Sequence, residues 1–197
     1  MSTLVSVIVP VYNAELFIKE CLDSILSQEF EGLEILVSDD VSSDNTRYLL
    51  EKYRKNDKVK IFLQEKNLGI TGNCNFLLNK ASGKYICFFA GDDIMLSNKI
   101  NKQYSYMELN PDLSFSYHLV DIFDTLSGNT ITTTNYQHNT DKLNVNTIIE
   151  QMGIPASMSI MARKSMLPKE LFNEKFHYTS DWLMQIELSI NGEVGYL

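Results

Sequence analysis

No stretch of this chain approaches the roughly 20 consecutive apolar residues that a membrane span needs, so no transmembrane segment is expected. No signal peptide is visible and none is expected: Leu4 to Val11 is interrupted by Ser6 and Pro10, and no basic region precedes it. Cysteine is scarce. Cys21, Cys74 and Cys87 make an odd number without framework spacing, which points to free thiols in a reducing, cytoplasmic compartment. Positive charge is also short, with 17 Lys and Arg against 25 Asp and Glu for a net charge of −8. No basic stripe could hold a nucleic acid, so none is expected as a partner. Any phosphate ligand must instead be neutralised locally, by a metal or by backbone N–H groups. His118, His138 and His177 have no metal-ligand spacing among them. The loop after the first apolar run, Pro10-Val11-Tyr12-Asn13-Ala14-Glu15, holds neither Gly nor Arg. That argues against the G-x-G-x-x-G of dinucleotide-binding oxidoreductases and against the Gly-rich, basic triphosphate grip of a sugar nucleotidyltransferase. There is no internal repeat, linker or low-complexity tract.

What is present is a 197-residue chain with 44% hydrophobic residues, enough for one globular domain with its own core. Within it, two aspartate pairs each follow an apolar run. Asp39-Asp40 comes after Leu33-Glu34-Ile35-Leu36-Val37-Ser38, and Asp92-Asp93 after Tyr85-Ile86-Cys87-Phe88-Phe89-Ala90-Gly91. Such runs read as buried parallel strands. Ligands of open α/β sheets sit outside the carboxyl ends of the strands, so both pairs are expected in one cleft. Adjacent carboxylates repel and persist where a cation or donor takes up the charge. A divalent metal carrying a phosphorylated ligand is the simplest occupant.

The remaining pattern alternates strands and helices. Val5 to Val9 is a strand closed by Pro10, and Phe17 to Leu26 has helical spacing with Asn13 as its cap. Ser42, Ser43 and Asp44 open a second helix, Val59 to Leu63 is a third strand, and Thr71 caps a helix ended by Gly83. Ser97 begins another helix that stops before Pro111. Beyond it, Ser114 to Asp124 reads as a strand, Leu126 to His138 as a hairpin or loop, and Val145 to Met152 as a short helix. Ser157 to Ala162 is expected to be a strand, and Thr179 or Ser180 to cap a last helix. The alternation predicts an α/β, doubly wound, mostly parallel sheet with helices on both faces. Val194-Gly195-Tyr196-Leu197 reads as the start of a strand, from which a truncated C-terminus is expected.

Residues 4–95 resemble the nucleotide-binding half of family 2 glycosyltransferases of the GT-A fold. The matching pieces are Val5 to Asn13, Cys21 to Gln28, Ser38-Asp39-Asp40 with Ser43-Asp44-Asn45-Thr46, Asn67-Leu68-Gly69-Ile70, and Gly83-Lys84-Tyr85-Ile86 leading to Gly91-Asp92-Asp93. Their order and spacing carry the resemblance, where any single piece would be weak. Pro111-Asp112, Ile154-Pro155 and Ser180-Asp181-Trp182 extend it more loosely. The resemblance divides the single domain into a nucleotide-sugar-binding half, 1–110, and an acceptor half, 111–197.

The resemblance implies an inverting transfer of a sugar from a nucleoside-diphosphate donor to a glycan or lipid-linked acceptor in bacterial surface polysaccharide synthesis. The enzyme would work at the cytoplasmic face of the membrane, with peripheral contact only. By resemblance, Asp40 accepts the N3–H of a pyrimidine, favouring uracil or thymine, so that the donor is UDP- or dTDP-linked. Asp39 contacts the nucleotide or only orients the loop, and Pro10, Tyr12 and Asn13 line the nucleoside pocket. Asp93 binds Mn²⁺ or Mg²⁺, while Asp92 holds the ribose or shares the metal. The family's first acidic position is Ala90 here, which removes one ligand. Cys74 stands where many relatives carry an arginine, and its place on an apolar helix face suits a core role. Asp181 is the candidate general base, with Asp121, Asp124 and Glu174 as rivals. Trp182 and His177 are candidate donor or acceptor walls, and Arg163-Lys164 reads as a solvated pair. Each has a plainer reading: a capping loop for Asp40, solvated turn carboxylates for Asp92-Asp93, and a helix-dipole partner for Asp181. The competing functional classes are a non-catalytic nucleotide- or glycan-binding module of the same fold and a sugar nucleotidyltransferase.

Overall fold

The computed structural model describes residues 3–134, 142–150, 152–154, 156–176 and 178–197. Four strands form its parallel half: β1 (Val5–Val11), β2 (Leu33–Asp39), β3 (Val59–Leu63) and β4 (Tyr85–Phe88). Their apolar residues alternate between two covered faces, as buried parallel strands require. Val5, Val7 and Val9 of β1, with Ile35, Val37, Tyr85 and Cys87, pack under helices α1 (Ile18–Leu26), α2 (Thr46–Glu51) and α4 (Lys99–Leu109). Ile8, Leu36, Ile86 and Phe88 point the other way, into α3 (Gly69–Lys80), α5 (Val145–Glu150) and α6 (Ser180–Asn191). Fully buried aliphatics such as Ile8, Ile35 and Leu36 each contribute ~1.5–3 kcal/mol.

The main sheet adds β5 (Leu113–Tyr117), β8 (Lys142–Leu143), β9 (Met161–Arg163) and β10 (Glu193–Tyr196), in the order β3-β2-β1-β4-β9-β5-β10-β8. β9 is antiparallel to both β4 and β5, β8 is antiparallel to β10, and the other pairings are parallel. The sheet is thus mostly parallel with helices on both faces, as expected.

Several local expectations are corrected. Ser114 to Asp124 is not one strand: the chain leaves the sheet after Tyr117, and β6 (Asp121–Phe123) pairs with β7 (Thr130–Thr133) in a separate hairpin. Ser157–Ser159 is a 3-10 turn that precedes β9. Asn13 does not cap α1, which starts five residues later at Ile18 behind Phe17. Thr71 lies inside α3, whose turn begins at Gly69 with φ +70°, a conformation that glycine adopts without steric cost. His138, Pro155 and His177 lie outside the described residues.

Candidate active site

The carboxyl ends of β1, β2 and β4 lie side by side, with β1 in the middle. The ends of β1 and β2 and the segment from β3 into α3 form a cleft of about 270 Å³, lined by Pro10, Val11, Tyr12, Asp40, Asn67, Gly69, Ile70 and Asn73. Asp92 and Asp93, expected in the same cleft, lie beyond the end of β4 and are not part of its lining. Asp40 is buried, its N–H bonded to the Val11 carbonyl at 2.9 Å. One carboxylate oxygen accepts the Leu68 N–H at 2.7 Å, and its backbone carbonyl accepts the Asn67 amide at 3.0 Å. The β3–α3 loop is therefore clipped onto the end of β2. Tyr12 and Ile70 stand at the rim, 57% and 61% exposed, free to cover the face of a flat ligand.

Asp39, one residue away, faces the opposite side of the sheet. Its carboxylate is closed to solvent, accepts the Arg47 Nε–H at 2.6 Å and the Ser42 N–H at 3.2 Å, and leaves Oδ1 unpartnered. Arg47 also donates to the Gln64 carbonyl at 2.6 Å, so this pair ties the end of β2 to the end of β3. That geometry suits loop orientation better than ligand contact. Asn13, at φ +50°, also works as a clasp. Its N–H donates to Ser42 Oγ and its side-chain oxygen accepts the Ser43 N–H, both at 2.8 Å. Thr46 Oγ1 accepts the Ala14 N–H at 2.8 Å, and Asp44 accepts the Glu15 N–H at 3.0 Å.

The loop after β4 carries Asp92 and Asp93. Gly91 packs where a Cβ would lie 3.1 Å from Val11 Cγ2, which holds the loop tight against β1. Asp92 is exposed, whereas Asp93 is half-buried, and its Oδ2 has no hydrogen-bond partner among the described residues. Burial, and then repulsion from Asp92, push the Asp93 carboxyl up to about 6 from 3.8. A backbone hydrogen bond at Ala90 offsets this only in part, and the nearby Cys21 thiol, itself raised by burial, donates to the Ala90 carbonyl at 3.3 Å. A half-buried carboxylate with an orphaned oxygen beside a second carboxylate is a hard-oxygen donor set that suits Mg²⁺ or Mn²⁺. Among the described residues no group of three or more His, Cys, Asp or Glu could hold a metal alone. A cation held here would need most of its ligands from outside the protein.

Asp181 reaches the same edge through helix docking. Ser180, the first residue of α6, lies 3.3 Å from Thr71 of α3, Oγ to Oγ1, next to the cleft residues Gly69 and Ile70. Asp181 is exposed in the first turn, and its Oδ1 accepts the Trp182 N–H at 2.8 Å. Its charge also reaches Cys74, whose thiol is pushed up to about 12, first by burial and then by Asp181. Trp182 is half-buried, with its indole N–H on the Ile148 carbonyl at 3.3 Å, so its ring mainly closes the core between α5 and α6.

Two expectations elsewhere change. Arg163 is not solvated: only 8% exposed, it donates to the carbonyls of Leu113, Met107 and Asn110 and to the Tyr85 hydroxyl. Asn67, Gly69 and Ile70, noted only as part of the resemblance, and Asn73 line the cleft without having been named as site residues. Asn73 had a signal, since an asparagine at i, i+4 spacing from buried Leu77 needs a partner that a helix face does not supply.

A mostly parallel sheet with a polar cleft at the ends of β1 and β2 and an aspartate pair beyond β4 is the arrangement of α/β proteins that bind ligands outside the carboxyl ends of their strands. The family model described as glycosyl transferase family 2 matches residues 6–169, and the chain belongs to that family. It is 32% identical over 187 residues to the UDP-Glc:alpha-D-GlcNAc-diphosphoundecaprenol beta-1,3-glucosyltransferase WfgD of Escherichia coli, a match covering 94% of this chain and 69% of that one. Two further curated relatives are matched over 35% and 32% of their length. Among solved structures, S. aureus TarS 1–349 superposes with a TM-score of 0.80 at 23% identity, covering 98% of this chain and 58% of that one; it has also been solved in complex with UDP. The mannosyltransferase PcManGT of Pyrobaculum calidifontis, in complex with GDP-Man and Mn²⁺, superposes at a TM-score of 0.68 and 15% identity, over 100% of this chain and 55% of its own. Both likenesses speak to the fold, which is that of GT-A glycosyltransferases.

Proposed function

We propose that this chain carries the catalytic cleft of an inverting, divalent-metal-dependent glycosyltransferase. Its donor would be a UDP- or dTDP-linked sugar, and its acceptor a hydroxyl of a glycan on a lipid diphosphate. The carrying observation is the pair of groups at strand ends on either side of β1: Asp40 in the cleft beyond β2, and the Asp93 oxygen without a partner among the described residues beyond β4. The strands that deliver these groups lie roughly 10 Å apart, two strand spacings, about the reach from a pyrimidine base to its diphosphate.

In this reading Asp40 accepts the base N–H, Tyr12 and Ile70 cover the base, and Asp39, Arg47 and Asn13 hold the loops that present them. Asp93, with Asp92, would hold the cation, which when bound stabilises charge on the departing nucleoside diphosphate. Asp181 takes the acceptor hydroxyl's proton on Oδ2, because Oδ1 is engaged by the Trp182 N–H. A single base is enough when the acceptor oxygen attacks the anomeric carbon from the face opposite the leaving group. No helix among the described residues is long and apolar enough to cross a membrane. The lipid-diphosphate acceptor named for the Escherichia coli relative supports peripheral work at the cytoplasmic membrane face.

The test is product analysis with UDP- and dTDP-sugars and a short lipid-diphosphate-linked saccharide. A product of inverted anomeric configuration that requires Mn²⁺ or Mg²⁺ is expected. Asp181→Asn should bind the donor unchanged yet lose ~10²-fold or more in transfer. Full transfer by that variant would move the base elsewhere, and nucleotide binding without any transfer would favour a binding module.

A further inference from the structure

Asn73 presents a polar atom that nothing among the described residues satisfies. The residue is 1% exposed and lines the cleft. Its amide nitrogen donates to the Ser38 carbonyl at 2.9 Å, which fixes the orientation of the carboxamide, because only the NH₂ side can face a carbonyl. Oδ1 is then directed away from β2 and has no hydrogen-bond partner among the described residues. The β1 residue in register with Ser38 is Pro10, which has no N–H to give. Leaving such an acceptor dry is costly, and native proteins keep few of them.

We propose that Asn73 Oδ1 accepts a hydrogen bond from the ribose 2′-hydroxyl of the bound nucleotide, making the cleft selective for ribonucleotide over deoxyribonucleotide donors. This rests on the reading of the cleft as a nucleotide site and narrows its donor from UDP- or dTDP-sugars to UDP-sugars. The nucleoside of a uridine donor carries three donor hydrogens, the base N3–H and the 2′- and 3′-hydroxyls, while the hydroxyls of the transferred sugar lie beyond the diphosphate. Phosphates near neutral pH supply none where a cation is bound. Asp40 takes the N3–H. A nucleotide stretching from Asp40 beyond β2 to Asp93 beyond β4 must lay its ribose over the end of β1, the strand between them. The Asn73 acceptor shares its cleft with the Pro10, Val11 and Tyr12 wall of that strand. Of the two hydroxyls, the 2′ is on the carbon next to the base-bearing one, and so nearer the Asp40 end of the cleft, which Asn73 also lines. The 3′ lies toward the phosphates and Asp92.

The experiment is equilibrium titration of the intact chain with UDP and with 2′-deoxy-UDP, both with Mn²⁺. For the unmodified protein 2′-deoxy-UDP should bind roughly tenfold more weakly, the effect of one lost hydrogen bond at a buried acceptor. Asn73→Ala should weaken UDP to about the level of 2′-deoxy-UDP and bring the ratio close to one. A purely structural role would weaken both nucleotides by the same factor and keep the ratio, which would overturn the inference. Asp92→Ala, at an exposed site, keeps the ratio if Asn73 holds the hydroxyl and abolishes it if Asp92 does, so the question is decided even if Asn73→Ala does not fold. Equal binding of the two nucleotides by the unmodified chain overturns this inference alone. Binding of neither overturns the nucleotide reading of the cleft, and this inference with it.

Discussion

Substituting Asp93 with asparagine removes a charge from a place where burial and the neighbouring Asp92 both oppose it. The carboxyl stands at about 6 in the folded protein against an ordinary 3.8. At 1.36 kcal/mol per pH unit that difference corresponds to roughly 3 kcal/mol, and partial access to water trims it to about 1–2 kcal/mol. The folded state holds this proton more tightly than the unfolded one. The metal-free protein therefore loses stability as pH rises from about 4 to about 6, and does not regain it above. Asparagine has nearly the same shape and no proton to lose. In chelator at pH 8, Asp93→Asn should melt higher by roughly 2–8 °C, a range set by the size of the chain. Near pH 4, with Asp93 protonated, the two proteins should melt close together. The same substitution should abolish Mn²⁺-dependent UDP binding, the trade expected of a strained functional group. Thermal melts in chelator and UDP titrations with Mn²⁺ read the two effects separately. A variant that melts lower at pH 8, or one that still binds UDP in a Mn²⁺-dependent way, would refute the reasoning.

Arg47→Met would leave the Asp39 carboxylate closed to solvent without its cation and should destabilise by about 2–4 kcal/mol in denaturant titration. Adding Asp39→Asn should recover part of the loss, and strict additivity in the double-mutant cycle would argue against the pairing. Burial alone would raise Glu34, but its bonds from Lys60, Ser6 and Ser82 outweigh that and hold it at about 2, below the ordinary 4.5. Its stabilising contribution is full above pH 4.5 and lost as pH falls toward 2. Glu34→Gln should therefore cost roughly 2–3 kcal/mol at pH 7, with the difference from wild type shrinking across that acid window. Asp40→Asn keeps its one oxygen for the Leu68 N–H and turns its NH₂, a donor, toward the base N3–H. It should lower UDP affinity ~10-fold or more at nearly unchanged melting temperature.

The parallel half was legible because its information is local. Three apolar runs, each ending in a loop that carries Pro10, Asp40 or Asp93, give both the strands and their functional ends. The second half depends on pairing. Nothing in Ser157 to Arg163 announces that β9 slips in antiparallel between β4 and β5, since its partners lie far away in sequence. Arg163 looks solvated until the carbonyls of Leu113, Met107 and Asn110 converge on it. Asn13 has the composition of a helix cap, yet the serines after β2 compete for it and win through two 2.8 Å bonds. Asp39 and Asp40 are adjacent in sequence, and strand alternation sends one to the cleft and the other into an ion pair.

The central claim is that one cleft at these strand ends holds a nucleoside diphosphate through Asp40 and its cation through Asp93. Calorimetric titration of UDP, with ADP as comparison, tests it most directly, with and without Mn²⁺, on the unmodified chain, Asp40→Ala and Asp93→Asn. The account predicts Mn²⁺-dependent binding that prefers UDP, loss of that preference in Asp40→Ala, and loss of the Mn²⁺ effect in Asp93→Asn. UDP binding that ignores Mn²⁺ and both substitutions would contradict it.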